Sequence, residues 1–195
     1  MNSPKTLELA ANGASPDFAQ GSIFFVGTAT VIIRYAGFTI LTDPNFLHQG
    51  DHIHLGYGLQ ATWCTNPDIE IESLPPLNLL VLSHMHDDHF DHIAAEKLDK
   101  TLPIVTMPHA AHSLQGKGFT KTLALKPWET SEIVRALQII APKTAIPIHY
   151  NDYTVFKSPL EDFIQAVKEA GLTEQVRYLS HGETYHFTIP VHKLD

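Results

Sequence analysis

The chain has little cysteine, a shortage of basic residues and no long apolar run. Its 195 residues include one cysteine, Cys64, so an intramolecular disulfide is excluded, and we expect this thiol to fill a small apolar gap. With 13 Lys and Arg against 21 Asp and Glu, the net charge is -8, which leaves no broad basic surface for a phosphate backbone. Nucleic acid is therefore disfavoured as a partner, and no membrane span is expected.

The length suits one domain. Residues 1–21 are expected to form a flexible leader, and residues 22–195 a single domain. The leader shows neither a basic start nor a long apolar stretch, which argues against a signal peptide. A cytoplasmic location is the expectation that follows.

Histidine is abundant, with 13 residues, and the densest group follows a short apolar run. Leu79–Leu82 has the length of a buried strand and leads into His84, His86, Asp88 and His89. Imidazole nitrogen and carboxylate oxygen are ligands that zinc binds at about 2 Å. Because residues two apart on extended backbone share a face, His84 and His86 can bind one ion. A sharp turn afterwards would bring Asp88 and His89 to a second ion nearby.

The His-x-His-x-Asp-His pattern of His84–His89 resembles the signature of the metallo-β-lactamase fold hydrolases. Gly27-Thr28-Ala29-Thr30 and Leu41-Thr42-Asp43-Pro44 resemble the branch that contains L-ascorbate-6-phosphate lactonase and N-acyl-phosphatidylethanolamine phospholipase D. The likeness runs over residues 22–126 and 132–149. It implies an α/β fold, specifically an αββα sandwich. It also implies hydrolysis of a small-molecule ester, lactone or phosphodiester by a metal-bound hydroxide.

The resemblance also implies the ligand set. The cofactor would be one or two Zn²⁺ ions, and Mn²⁺ is possible because of the oxygen ligand. Asp88 is the candidate catalytic residue. His149 is assigned as the last ligand because it ends an apolar stretch, 144–148, although a core or surface histidine is the alternative. The assignment places a first ion on His84 and His86 and a second on Asp88, His89 and His149.

Asp43 ends the third predicted strand and is followed by Pro44. The matching aspartate of the family accepts hydrogen bonds from amides of the ligand loop, so we interpret Asp43 as a support for the ligands. A turn started by its side chain at the Asp43-Pro44 bend is a compatible alternative.

The remaining pattern alternates between strands and helices, which is typical of an α/β protein. Residues 47–76 are expected to be a long irregular segment that forms a lid or wall of the substrate pocket, with Tyr57 and Trp63 as its flat apolar surface. The predicted strands are 22–26, 30–35, 38–41, 103–107, 120–125 and 144–148, with 176–179 and 185–189 as a closing pair; the predicted helices are 91–98 (capped by Asp91), 110–115, 132–140 and 158–171.

The second half departs from the family pattern. No aspartate occurs between Asp99 and Asp152, so the carboxylate that bridges two ions is missing, together with a further histidine and the strands that carry both. A block missing near 130–131 explains all these losses and leaves the sandwich incomplete. Alternatively, other side chains substitute as ligands, namely His109, His112 or Glu129. A catalytically impaired metal-binding protein of the same fold is the competing function.

Overall fold

The structure, a computed structural model, describes residues 20–56, 59–124, 143–150 and 160–189. Several sequence predictions fall outside these residues: Tyr57, Glu129, the missing block near 130–131, the helix at 132–140 and most of the leader. The division into a leader at 1–21 and one domain at 22–195 stays a prediction.

The first three strands form the predicted antiparallel meander. They are β1 (Gln20–Gly27), β2 (Thr30–Tyr35) and β3 (Phe38–Thr42). Their Ile, Val and Phe side chains favour extended backbone and pack on both sheet faces. The β2–β3 turn uses Ala36 and Gly37 at φ 48° and 80°, a conformation that glycine adopts without strain.

The prediction of an irregular segment at 47–76 was wrong, because that segment contains a β-hairpin. Its strands are β4 (His52–Gly56) and β5 (Leu59–Thr62). The hairpin buries a small core made of Leu47, Ile53, Ala61 and Trp63. Trp63 is only 2% exposed, so it is a core residue and not a pocket wall. Cys64 follows it and is exposed, which corrects its expected role as an apolar filler.

The next part alternates parallel strands with helices, as predicted. Its elements are β6 (Leu79–Val81), α1 (His92–Lys97), β7 (Ile104–Thr106), α2 (Pro108–Gly116) and β8 (Thr122–Ala124), and they are followed by α3 (Leu160–Glu169) and β9 (Thr184–Thr188). β6 pairs parallel with β3, β7 with β6 and β8 with β7. Within the described residues the main sheet therefore has seven strands in the order β8-β7-β6-β3-β2-β1-β9.

The predicted closing strand pair was wrong, since β9 pairs antiparallel with β1 instead of with 176–179. The intervening turn is bound to β1: the Phe25 amide donates to Glu183 O at 3.0 Å, and the Gly182 amide donates to Phe25 O at 2.6 Å. The predicted strand at 144–148 reduces to a single bridge between Ala145 and Val176.

The core lies on both faces of the sheet, which confirms the α/β layering. On one face, side chains of β2, β3, β6 and β7 pack against α1 and α2. On the other face, Phe25, Val31 and Leu179 form a cluster to which the 146–150 segment adds Ile146, Ile148 and Tyr150. This second cluster holds the chain around His149 against β1 and β2. No helix within the described ranges is long and apolar enough to cross a membrane.

Candidate metal centre

The ligand loop, residues 82–91, begins where β6 ends and turns back on itself. The amides of His89 and Phe90 both donate to His86 O, at 2.9 and 2.8 Å, which closes the sharp turn expected after the motif. As a result, His84, Asp88 and His89 each offer one ligand atom, and these atoms lie within 4.8 Å of one another.

His149 joins this cluster although it lies 60 residues away from His89 in sequence. Its Nε2 lies 3.1 Å from Nε2 of His89 and 3.5 Å from Oδ2 of Asp88. Nε2 of His89 lies 3.5 Å from the same Asp88 oxygen. One carboxylate oxygen and two imidazole nitrogens therefore converge on a common point.

The Gly-Thr-Ala-Thr turn between β1 and β2 holds His149 by its backbone. The His149 amide donates to Thr28 O at 2.7 Å. Both residues have positive φ, 69° at His149 and 56° at Thr28, and such strain in non-glycine residues persists only where surrounding contacts enforce it. The turn resembling the family motif therefore positions His149 beside the cluster.

The charges at the cluster suit a cation. Burial raises the pKa of Asp88, but the hydrogen bond from His149 and the electrostatic interaction with His89 outweigh it and lower that pKa to about 2. Burial, together with neighbouring His89 and His86, lowers the pKa of His84. An ionised carboxylate and a neutral imidazole are the protonation states that metals bind.

Asp43 supports the ligand loop by accepting hydrogen bonds from it. Its Oδ1 accepts hydrogen bonds from the Ser83 amide at 2.7 Å and from the Ser83 hydroxyl at 2.9 Å. Its Oδ2 lies 3.6 Å from Nδ1 of His89. Asp43 itself adopts φ 35°, so it also makes the bend at which β3 ends. Both interpretations offered for this residue are compatible with these contacts.

Sequence reasoning missed two further supports, Thr30 and Asn45. The buried Thr30 hydroxyl donates to Asp43 O at 2.7 Å and accepts from the Asn45 amide at 2.9 Å. Asn45 Nδ2 in turn donates to Asp87 O at 2.8 Å, inside the ligand loop. Thr30 belongs to the motif quoted for the resemblance, but its spacing gives no sign of the chain segment it contacts.

The remaining histidine candidates lie at or beyond the edge of the cluster. The His86 ring lies near His84, with 4.5 Å between the ring centroids, yet His86 is exposed and outside the close group. His109 and His112 are exposed on α2, and neither belongs to the group. Their proposed role as substitute ligands stays a prediction.

The donor set fits a zinc-like ion. Ligands placed tetrahedrally at about 2.0–2.1 Å from an ion are about 3.3 Å apart. The three separations among Asp88, His89 and His149 are 3.1–3.5 Å. Moreover, Oδ1 of Asp88 is buried and has no hydrogen-bond partner within the described part of the chain. Buried carboxylate oxygens are rarely left in that state without a cation or water.

The mixed sheet carries histidines and an aspartate at the carboxyl end of the parallel strand β6. This arrangement defines an α/β protein with a candidate metal site. Residues 22–122 match the family described as the Beta-lactamase superfamily domain, and the chain belongs to that family. The resemblance to the metallo-β-lactamase fold that was read from the motifs is thereby confirmed.

Curated relatives match over shorter stretches. A UPF0173 metal-dependent hydrolase of Archaeoglobus fulgidus is 46% identical over 54 residues, which are 28% of this chain and 23% of the relative. Another, from Aeropyrum pernix, is 36% identical over 80 residues, 41% of this chain and 30% of the relative. The matched stretches thus span about a quarter to a third of these relatives.

Solved structures share the fold over most of the chain. The isothiocyanate hydrolase from Delia radicum gut bacteria superposes with a TM-score of 0.69 at 14% identity, over 86% of this chain and 100% of that one. Igni18, a metallo hydrolase from Ignicoccus hospitalis, superposes with a TM-score of 0.61 at 15% identity, over 88% of this chain and 100% of that one. At such identities the likeness shows a shared fold.

Proposed function

We propose that the protein is a metal-dependent hydrolase whose ion is Zn²⁺ held by Asp88, His89 and His149. The supporting observation is the convergence of Asp88 Oδ2 with the two Nε2 atoms, at separations of 3.1–3.5 Å. When bound, zinc supplies a Lewis acid and an activated water nucleophile at neutral pH. Mn²⁺ is the alternative ion because one ligand is an oxygen.

Asp88 is the catalytic residue in this proposal. Its Oδ2 lies 3.5 Å from Nε2 of both His89 and His149, so the carboxylate would hold the ion beside the reacting water. A pKa of about 2 keeps the carboxylate ionised at neutral pH, so it acts as an acceptor. Asp43 holds the loop that presents these groups.

The substrate class proposed is a small-molecule ester, lactone or phosphodiester. The net charge of -8 disfavours nucleic acid. His84 and His86 are proposed to hold a first ion, and their rings lie side by side with 4.5 Å between the centroids. The cytoplasmic location expected from the sequence stays a prediction.

A catalytically impaired metal-binding protein is the second candidate. The observation in its favour is the stretch between Asp99 and Asp152, which lacks any aspartate that could bridge two ions. Such a protein would bind an ion at Asp88, His89 and His149 yet lack turnover.

Metal analysis combined with a substrate panel tests the proposal. We expect purified protein to bind at least one zinc ion and to hydrolyse a member of a panel containing a phosphodiester, a lactone and an aryl ester. An isothiocyanate is added because one structural neighbour is an isothiocyanate hydrolase. Asp88→Asn should lower kcat/KM about 100-fold or more, whereas exposed His186→Ala on β9 should not change it.

The outcomes separate the two candidates. Stoichiometric zinc without turnover on any panel member supports the impaired metal-binding protein. Absence of both bound zinc and bound manganese contradicts the metal-dependent hydrolase proposal. Equal turnover in the wild type and in His149→Ala contradicts the assignment of His149 as a ligand.

A further inference from the structure

Ser83 places one hydroxyl between a carboxylate and two imidazole rings. Its Oγ lies 2.9 Å from Oδ1 of Asp43, 2.9 Å from Nδ1 of His84 and 3.3 Å from Nδ1 of His89. The Ser83 amide also donates to the same Asp43 oxygen, at 2.7 Å, so the serine is held by two hydrogen bonds. Neither the sequence motif nor the ligand assignment gives this residue a role.

Proton counting decides the direction of these hydrogen bonds. A serine hydroxyl carries one proton, and an ionised carboxylate only accepts. The hydroxyl therefore donates to Asp43, and its lone pairs accept the Nδ1–H protons of His84 and His89. The opposite arrangement would leave two acceptor oxygens 2.9 Å apart with no proton between them.

The tautomer of each ring follows. A neutral imidazole carries one N–H, so a proton on Nδ1 leaves a lone pair on Nε2. For His89, that lone pair lies at the atom that faces Asp88 and His149. The Nδ1 of His89 is also 3.6 Å from Oδ2 of Asp43, which favours the same tautomer.

We propose that Ser83 is a positioning residue that holds His84 and His89 in the Nδ1–H tautomer, so that both present Nε2 to metal. The proposal rests on the metal centre described under the proposed function. Because one hydroxyl serves both rings, it couples the ligand His84 of the first ion position to the ligand His89 of the second. Removing it should weaken both positions together.

Nitrogen NMR of metal-free protein tests this directly. In ¹⁵N-labelled wild-type protein at a pH where histidine is neutral, we expect Nδ1 of His84 and His89 to be protonated and Nε2 to be unprotonated. Ser83→Ala should mix the tautomers at both rings and lower zinc affinity about 10–100-fold. Ser83→Thr, which keeps the hydroxyl, should restore both the tautomers and the zinc affinity.

Thr101 offers a matched control. Its amide and hydroxyl contact Oδ1 of Asp99 at 2.7 and 2.9 Å, the same distances at which Ser83 contacts Asp43, but on the exposed loop that precedes β7. Thr101→Ala should change neither the ring signals nor zinc affinity. Thermal unfolding of each variant shows whether a change reflects folding alone.

Unchanged tautomers and unchanged zinc affinity in Ser83→Ala would overturn the positioning role. The ring measurement needs neither metal nor substrate, so it is independent of turnover. If the wild type shows the expected tautomers but binds no zinc, the metal-centre proposal fails while the proton assignment stands. If zinc binds and substrate turns over but Ser83→Ala behaves as wild type, only the role of Ser83 is rejected.

Discussion

Asp91 shows at the scale of one residue how the ligand loop is attached to the rest of the molecule. Its Oδ1 accepts from the Ala94 amide at 2.7 Å and caps α1, as the sequence predicted. Its Oδ2 accepts from the Phe46 amide at 2.5 Å, a contact with the loop after β3 that no local pattern indicates. Burial raises the pKa of Asp91, while the hydrogen bonds from Ala94 and Phe46 oppose that shift.

Replacing Asp91 with alanine should destabilise the fold strongly. The change leaves the buried amides of Phe46 and Ala94 without their acceptor, and we expect a loss of about 2–4 kcal/mol in the free energy of unfolding. Urea denaturation followed by circular dichroism measures it. Asp99→Ala, which removes the acceptor of exposed Thr101, should cost less than about 1 kcal/mol. Equal losses in the two variants would contradict the bridging role.

At the scale of an element, the pairing of β9 with β1 depends on an aromatic ring of β9 that lies over a glycine of β1. The Phe187 ring stacks near Tyr35 and Tyr185, with centroid distances of 6.4 and 6.2 Å. It also covers Gly21, where an added Cβ would lie 2.5 Å from ring carbons. The glycine therefore provides the space that the phenylalanine ring occupies in this edge pairing.

Gly21→Ala should loosen this pairing. Because the new methyl group displaces the Phe187 ring, we expect a loss of about 1–3 kcal/mol in unfolding free energy, measured by denaturant titration. In a Phe187→Ala background the same change should cost far less, and the double-mutant cycle reports the difference. Gly116→Ala at the exposed end of α2, where an added Cβ meets nothing within 4 Å, is the control. Additive losses at Gly21 and Phe187 would argue against their contact.

At the scale of the whole molecule, the proposed metal centre joins distant parts of the chain. Asp88 and His89 come from the loop after β6, whereas His149 comes from the segment packed on the other face of β1 and β2. An ion held by all three residues exists only in the folded state, so its binding energy adds to the free energy of unfolding.

Zinc should therefore raise the thermal stability of the metal-free protein. At about 100 times Kd the gain is about 2.7 kcal/mol, which for a chain of this size raises Tm by roughly 5–10 °C. Differential scanning calorimetry measures the shift, and a chelator should reverse it. Mg²⁺, which prefers oxygen ligands, should have little effect. If zinc raises Tm in His149→Ala as much as in the wild type, His149 does not bind the ion that joins the two segments.

Local signals account for much of the fold. The β1–β3 meander, α1 with its Asp91 cap and the alternation from β6 to β8 were predicted, because each depends on side chains close together in sequence. The pairing of β9 with β1 and the β4–β5 hairpin were not predicted. Strand partners are chosen by distant contacts, such as those that bind the 180–183 turn to Phe25.

The sequence by itself determined the chemical nature of the site, since imidazole and carboxylate groups at His84, His86, Asp88 and His89 are donors whatever the fold. It also determined the turn that brings Asp88 back towards His84, because that turn is a local structure. Only the tertiary structure decided that His149 lies 3.5 Å from Asp88 and that Asp43, 40 residues away in sequence, accepts two hydrogen bonds from Ser83. Those distances depend on packing between segments that are remote in sequence, and side-chain spacing along the chain carries no record of it.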